Sequence, residues 1–153
     1  MTPSGTLIDK SKHEAFVVKC FDNKLVGLNR IYQGSVNKFT KKSWHDNCLN
    51  KGPTLTVVQA DNGRIFGGYT SQSWTKGEGN YKIWTKDDKA WLFSFDHSTQ
   101  LKVTKPENAI CNYYASLCIF GGGHDLGIRL DGGDGWSDLG GSYELPAGVA
   151  AGD

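Results

Sequence analysis

The sequence predicts a mainly β domain with flanking helices, an α+β arrangement of the sandwich or barrel kind. Three observations predict it. Short runs rich in Val, Ile, Phe, Tyr and Trp recur between residues 54 and 130, with turn residues between them. Two of these runs flank Asn62-Gly63, the strongest short hairpin signal. The helical periodicities all fall before residue 50, so helices and strands are segregated and do not alternate as in a βαβ repeat.

The elements follow in order. Ser11–Asp22 reads as a short helix, because Phe16, Val17 and Cys20 share one face and Lys12, Glu14 and Lys19 do not. Asn29–Gln33 reads as a first strand. Thr40 is a helix N-cap, with Phe39 before it and Trp44 after it as a hydrophobic staple. That helix runs to about Leu49 and stops before Gly52-Pro53. Thr54–Ala60 and Arg64–Thr70 form a hairpin, with positive φ expected at both Asn62 and Gly63 and an Asp61–Arg64 pair across the turn. Ser71–Lys89 is polar and reads as a long surface loop. In Ala90–Phe95, Trp91, Phe93 and Phe95 face one way and Leu92 and Ser94 the other. Leu101–Thr104, Ile110–Tyr114, Leu117–Phe120 and Leu126–Leu130 complete the strands.

A chain of 153 residues fits one domain. Its helical part spans about 7–50 and its β part about 52–150. At 38% apolar and 22% charged residues the chain has enough to build a core. No apolar run approaches the ~20 residues of a membrane span. The polar N-terminus does not read as a secretory signal, so a cytoplasmic, reducing location is expected. Cys20, Cys48, Cys111 and Cys118 are then expected as free, mostly buried thiols.

The charge is sorted along the chain. Residues 1–51 hold nine Lys/Arg and four Asp/Glu, and residues 121–153 hold one Arg and six Asp/Glu. Two opposed patches of this kind steer protein partners. They do not make the basic, aromatic-interleaved face that binds nucleic acid.

The segment GPTLTVVQADNGRIFGGYTSQSW, residues 52–74, closely resembles the central hairpin of the TLDc domain family. IYQGSVNKFTKKSWHDNC (31–48) resembles its strand, loop and helix. AWLFSF (90–95) and LCIFGGGHDLGIRLD (117–131) resemble its later strands and glycine-rich loop. The resemblance covers roughly residues 7–150, with the motifs in order. It implies a two-layer antiparallel β-sandwich of TLDc type. It also implies a non-enzymatic protein–protein interaction module, of the kind that binds the vacuolar proton-pumping ATPase or acts in oxidation resistance, or a structural subunit of a larger assembly. Family members carry a further apolar strand where this sequence reaches Gly148–Asp153. A partner chain, or a continuation of this one, is therefore expected to supply a strand at the C-terminal edge.

Candidate sites were weighed against ordinary structural roles. His45 with Cys48, and Cys111, Cys118 and His124, lack zinc-site spacing. Asp131, Asp134 and Asp138 lack the order of a calcium loop. GGGHDLG is not a nucleotide-binding motif, and no cofactor is expected. An enzyme using Cys48 with His45, or Ser71 with a distant acid such as Glu144, is the alternative function. The candidate partner contacts are Trp74, Trp84 and Trp136, set among polar and glycine residues, with His124 and Asp125 in the glycine-rich loop.

Overall fold

A computed structural model describes residues 7–25, 27–114, 116–129 and 135–149. Three helices come first: α1 (Glu14–Cys20), α2 (Gly34–Asn37) and α3 (Lys41–Cys48). Eight strands follow: β1 (Thr54–Gln59), β2 (Ile65–Thr70), β3 (Ile83–Thr85), β4 (Trp91–Ser94), β5 (Thr99–Lys102), β6 (Ile110–Asn112), β7 (Ser116–Phe120) and β8 (Leu126–Arg129). They make two antiparallel sheets. The first has the order β1-β2-β4-β5, the second β3-β6-β7-β8. This is the expected α+β β-sandwich.

The inner core lies between the sheets. Leu92 of the first sheet and Ile110, Phe120 and Leu126 of the second meet there, with Trp44, Trp74 and Tyr143. Phe120 rests on Gly68, where a Cβ would stand 2.8 Å from its ring. The Gly in the Phe-Gly-Gly-Tyr run is thus a close-approach position, and any side chain there pushes the sheets apart. The alternation in AWLFSF places Trp91, Phe93 and Phe95 on the opposite, outer face of the first sheet. There α1 covers them with Phe16, Val17 and Cys20.

Helix α3 begins as expected. Thr40 Oγ1 accepts from Ser43 N at 3.2 Å. Trp44 is buried, while Phe39 lies over Gly34 and stays 48% exposed. The hairpin register runs from Thr54↔Thr70 to Gln59↔Ile65. Its turn differs from the expectation. Gly63 alone has positive φ, at 82°. Gly63 N donates to Ala60 O and Ala60 N to Arg64 O, which makes a three-residue loop with a glycine bulge. Asp61 and Arg64 make no ion pair.

Two further expectations are corrected. Residues 29–33 form no strand. Among the described residues no strand pairs with them, and Gln33 N is satisfied by the Asn37 side chain instead. Residues 71–89 are not simply a surface loop. They cross from the first sheet to the second, contribute β3, and carry Trp74 and Asp87 into the interior. The edge of β5 is already occupied by this chain over a short stretch. Val103 bridges Tyr143, Thr104 N donates to Ser142 O, Glu144 N donates to Lys102 O, and the Glu144 carboxylate accepts from Lys102 N. Among the described residues, β1 pairs on one side only.

Candidate functional site

The outer face of the second sheet gathers most of the candidate contact residues. Ile110 and Phe120 point inward, so their neighbours Cys111 and Ile119 point outward. Both are nonetheless buried, at 2% and 1% exposure. The register explains what covers them. Trp84 pairs with Cys111, Cys111 with Ile119, and Ile119 with Gly127. Gly127 and Trp136 exchange both backbone hydrogen bonds, at 2.8 and 3.0 Å. The Trp136 ring folds back over Gly127, where a Cβ would lie 2.3 Å from it. One row across the sheet therefore runs from Trp84 at one edge to Trp136 beyond the other.

His124 closes the row. It sits in the β7–β8 turn at φ 63°, a left-handed conformation that histidine, with Asn and Asp, adopts more readily than other side chains. Its ring stacks on Trp84 at 6.2 Å and meets Trp136 edge-on at 5.6 Å. Lys82 Nζ lies 3.0 Å from His124 Nε2, a contact that requires Nε2 to accept and the ring to be neutral. Burial first, and the Lys82 ammonium second, hold His124 below the ordinary histidine range. Arg129 lies over the Trp136 ring at 5.8 Å. Trp136 Nε1 is buried without an acceptor among the described residues. Trp84 remains 36% exposed and its neighbour Tyr81 78%. The result is a ring-lined surface with a cationic rim.

Two of the expected contact residues are elsewhere. Trp74 is 2% exposed. Its Nε1 donates to Thr54 Oγ1 at 3.0 Å, and its ring packs edge-on against Trp44 and Phe120. Asp125 is 0% exposed. Its carboxylate accepts from the backbone N–H of Gly140, Ser142 and Tyr143. These residues offer no surface to a partner in this conformation. Trp74 fills the core and Asp125 anchors the 140–143 segment.

The sequence reading missed Asp87, which plays the same part at the end of β2. It is 2% exposed and accepts from the Thr70 hydroxyl, the Ser71 N–H and hydroxyl, and Lys89 N. The hint was its place beyond a Thr-Ser pair, but nothing in that spacing required the chain to fold back.

The residues of the enzyme alternative are held in structural roles. Ser71 bonds Asp87 and not Glu144, whose carboxylate is taken by Lys102 N. Cys48 is buried, and burial pushes its thiol up to about 12. His45 is held below the ordinary histidine range by burial first, and then by Lys41 and Lys76. All four cysteines are free and buried. No group of three or more His, Cys, Asp or Glu among the described residues is placed to hold a metal ion. Asp131 and Asp134 lie outside the described residues.

Comparison with known proteins adds two findings. Interferon-induced protein 44 of Homo sapiens is 36% identical over 66 residues, which is 43% of this chain and 14% of that protein. The protein of the same name from Pan troglodytes is 36% identical over 62 residues, 40% of this chain and 13% of that protein. The match spans a small part of these relatives' own length. The family model described as the TLDc domain matches residues 5–143, nearly the whole chain. With two antiparallel sheets, flanking helices and the ordered motifs in place, the chain belongs to the TLDc domain family.

Proposed function

We propose that this domain is a non-enzymatic protein–protein interaction module, and that its partner sits on the Trp84–His124–Trp136 face. One observation carries the reading. Three rings that the sequence scatters between residues 84 and 136 are brought into contact on an outward face, with Lys82 and Arg129 beside them. Tryptophans flanked by cations are the side chains that most often dominate binding energy. The cations favour a partner presenting carboxylates or backbone carbonyls between apolar groups. The buried, weakly acidic Cys48 thiol and the Asp87-bound Ser71 hydroxyl support a module without a catalytic nucleophile. The free cysteines fit a reducing, cytoplasmic location.

Membership of the TLDc family makes the vacuolar proton-pumping ATPase the first partner to test, with a role in oxidation resistance or as a subunit of an assembly behind it. The experiment is a pull-down of the assembled ATPase by the wild-type chain and by a Trp84→Ala/Trp136→Ala variant. Loss of about tenfold or more in apparent affinity is expected for the variant. Equal capture by both chains would remove the partner from this face. Capture of other proteins by the wild type alone would keep the face and reassign the partner.

A further inference from the structure

A second surface, remote in sequence from the Trp84 face, is built the wrong way round for a free protein surface. Residues 31–39 fold into a small lobe around α2, an element with no buried residue. Several of its polar groups are used up in bonds within the lobe and to α3, while Ser35 and Lys38 stay exposed. The Tyr32 hydroxyl donates to Lys38 O, Gln33 N donates to the Asn37 side chain, and the Ser43 hydroxyl donates to Asn37 O. Its apolar groups face outward: Ile31 is 40% exposed, Val36 70% and Phe39 48%. Three large apolar side chains are thus presented to solvent within nine residues. Tyr32 packs against the core beneath them, so the lobe is braced and not merely loose. Lys38 adopts φ 69° and ψ 141°, a backbone conformation that is close to glycine-only. It is held there as the chain turns Phe39 outward.

Around this tip the charge is predominantly positive, with Asp46 as the one carboxylate among the lining residues. Lys38 and Lys42 are exposed beside it. Lys41, Lys42, Lys76 and His45 line the adjoining depression along α3, together with Asp46, which is bonded to Lys42. The combined pull of Lys41 and Lys76 is felt by His45.

We propose that this lobe docks on an anionic bilayer surface, with Ile31, Val36 and Phe39 entering the headgroup–acyl boundary and the lysines lying against acidic lipid. Charge complementarity selects a negative occupant. The projecting shape selects a bilayer over a protein. A protein must supply a socket matched to the tip, whereas the interfacial region of a membrane yields around any apolar projection. Lysines collaring an apolar tip keep their ammonium groups at headgroup level while their stems follow it inward. The proposal concerns peripheral attachment and is independent of the Trp84 face.

Sedimentation with vesicles tests it, using the whole chain. The chain is expected to pellet with phosphatidylcholine vesicles carrying phosphatidylserine, to stay in solution with phosphatidylcholine alone, and to be released by salt. Val36→Ser with Phe39→Ser is expected to weaken partitioning about tenfold or more. Val36→Ser alone, at the most exposed position, guards against a folding defect and should give a smaller loss in the same direction. Lys41→Ala and Lys76→Ala should each cost roughly fivefold. Trp84→Ala/Trp136→Ala should bind vesicles as the wild type does, whatever it does to protein capture. Failure to pellet with phosphatidylserine vesicles would overturn the proposal. So would full binding by the Val36→Ser/Phe39→Ser chain, because attraction would then be by charge alone.

Discussion

On the outer face of the first sheet, Trp91, Phe93 and Phe95 lie beneath Phe16, Val17 and Cys20 of α1. On the outer face of the second, Cys111 and Ile119 lie in a row with Trp84 and with Gly127, over which Trp136 folds, while His124 bridges the two indoles. Both faces remove apolar surface from water. The first does so with a helix that lays Val17 and Cys20 on the sheet and turns Lys19 to solvent, with Phe16 and Val18 half-buried at its margins. The second uses amphipathic rings and two cations, and so leaves aromatic edges at the surface. A face closed by a helix is finished. A face closed by tryptophan and histidine is buried enough for the fold and still has binding surface left over.

The comparison can be broken most severely at Trp91. Its ring stacks on Tyr69 at 5.3 Å and meets Phe21 edge-on at 5.2 Å. Trp91→Ala should lower unfolding free energy by about 3–5 kcal/mol, read from urea denaturation. A loss below about 1 kcal/mol would show that α1 is not part of the cooperative unit. The next largest effect is expected at Gly127. Adding a methyl there displaces the Trp136 ring, so Gly127→Ala should cost about 1–3 kcal/mol and shift tryptophan emission. Unchanged emission would mean that the ring does not rest on the strand.

Acid should act on the second face through His124. Its folded pKa lies below the ordinary histidine value of 6.5, so the fold prefers the neutral ring. The stability this gives is present above 6.5 and is lost as pH falls through that value toward the folded pKa. Protonation also sets His124 against the Lys82 ammonium. Emission from the Trp84–Trp136 cluster should therefore change on mild acidification, and His124→Gln should flatten the change. His45 is shifted the same way, so His45→Gln is the control that should leave this signal intact. The smallest effect on stability is expected at Trp84, 36% exposed at a sheet edge. Trp84→Ala should lower unfolding free energy by about 1 kcal/mol, while partner capture falls.

Local chemistry made much of the fold legible. The Thr40 cap, the hairpin around Asn62-Gly63 and the alternation of Trp91, Leu92 and Phe93 all depend on neighbours within a few residues, and all are present, though the hairpin turns through a three-residue loop and not the expected two-residue turn. The failures are non-local. Trp74 and Asp87 sit in a polar run without periodicity, and their burial follows from the crossing between sheets that the run performs. Strand β3 is only three residues long and is defined by its partner β6. Residues 29–33 have strand-forming side chains and no strand to pair with. Of the candidate contacts, Trp84, His124 and Trp136 are legible as aromatic residues among polar ones. That they touch is fixed by the register Trp84–Cys111–Ile119–Gly127, which no stretch of sequence displays.

The four unpaired thiols are spread through the layers. Cys20 is on the sheet-facing side of α1, Cys48 and Cys118 are in the inner core, and Cys111 is in the row beneath the Trp84 cover. Burial pushes each of them up to about 11 or 12. Alkylation must therefore wait for a layer to open and expose a thiolate. Site-resolved labelling rates would then act as a depth gauge, reporting separately how often the helix lifts, the sheets part and the aromatic lid swings away.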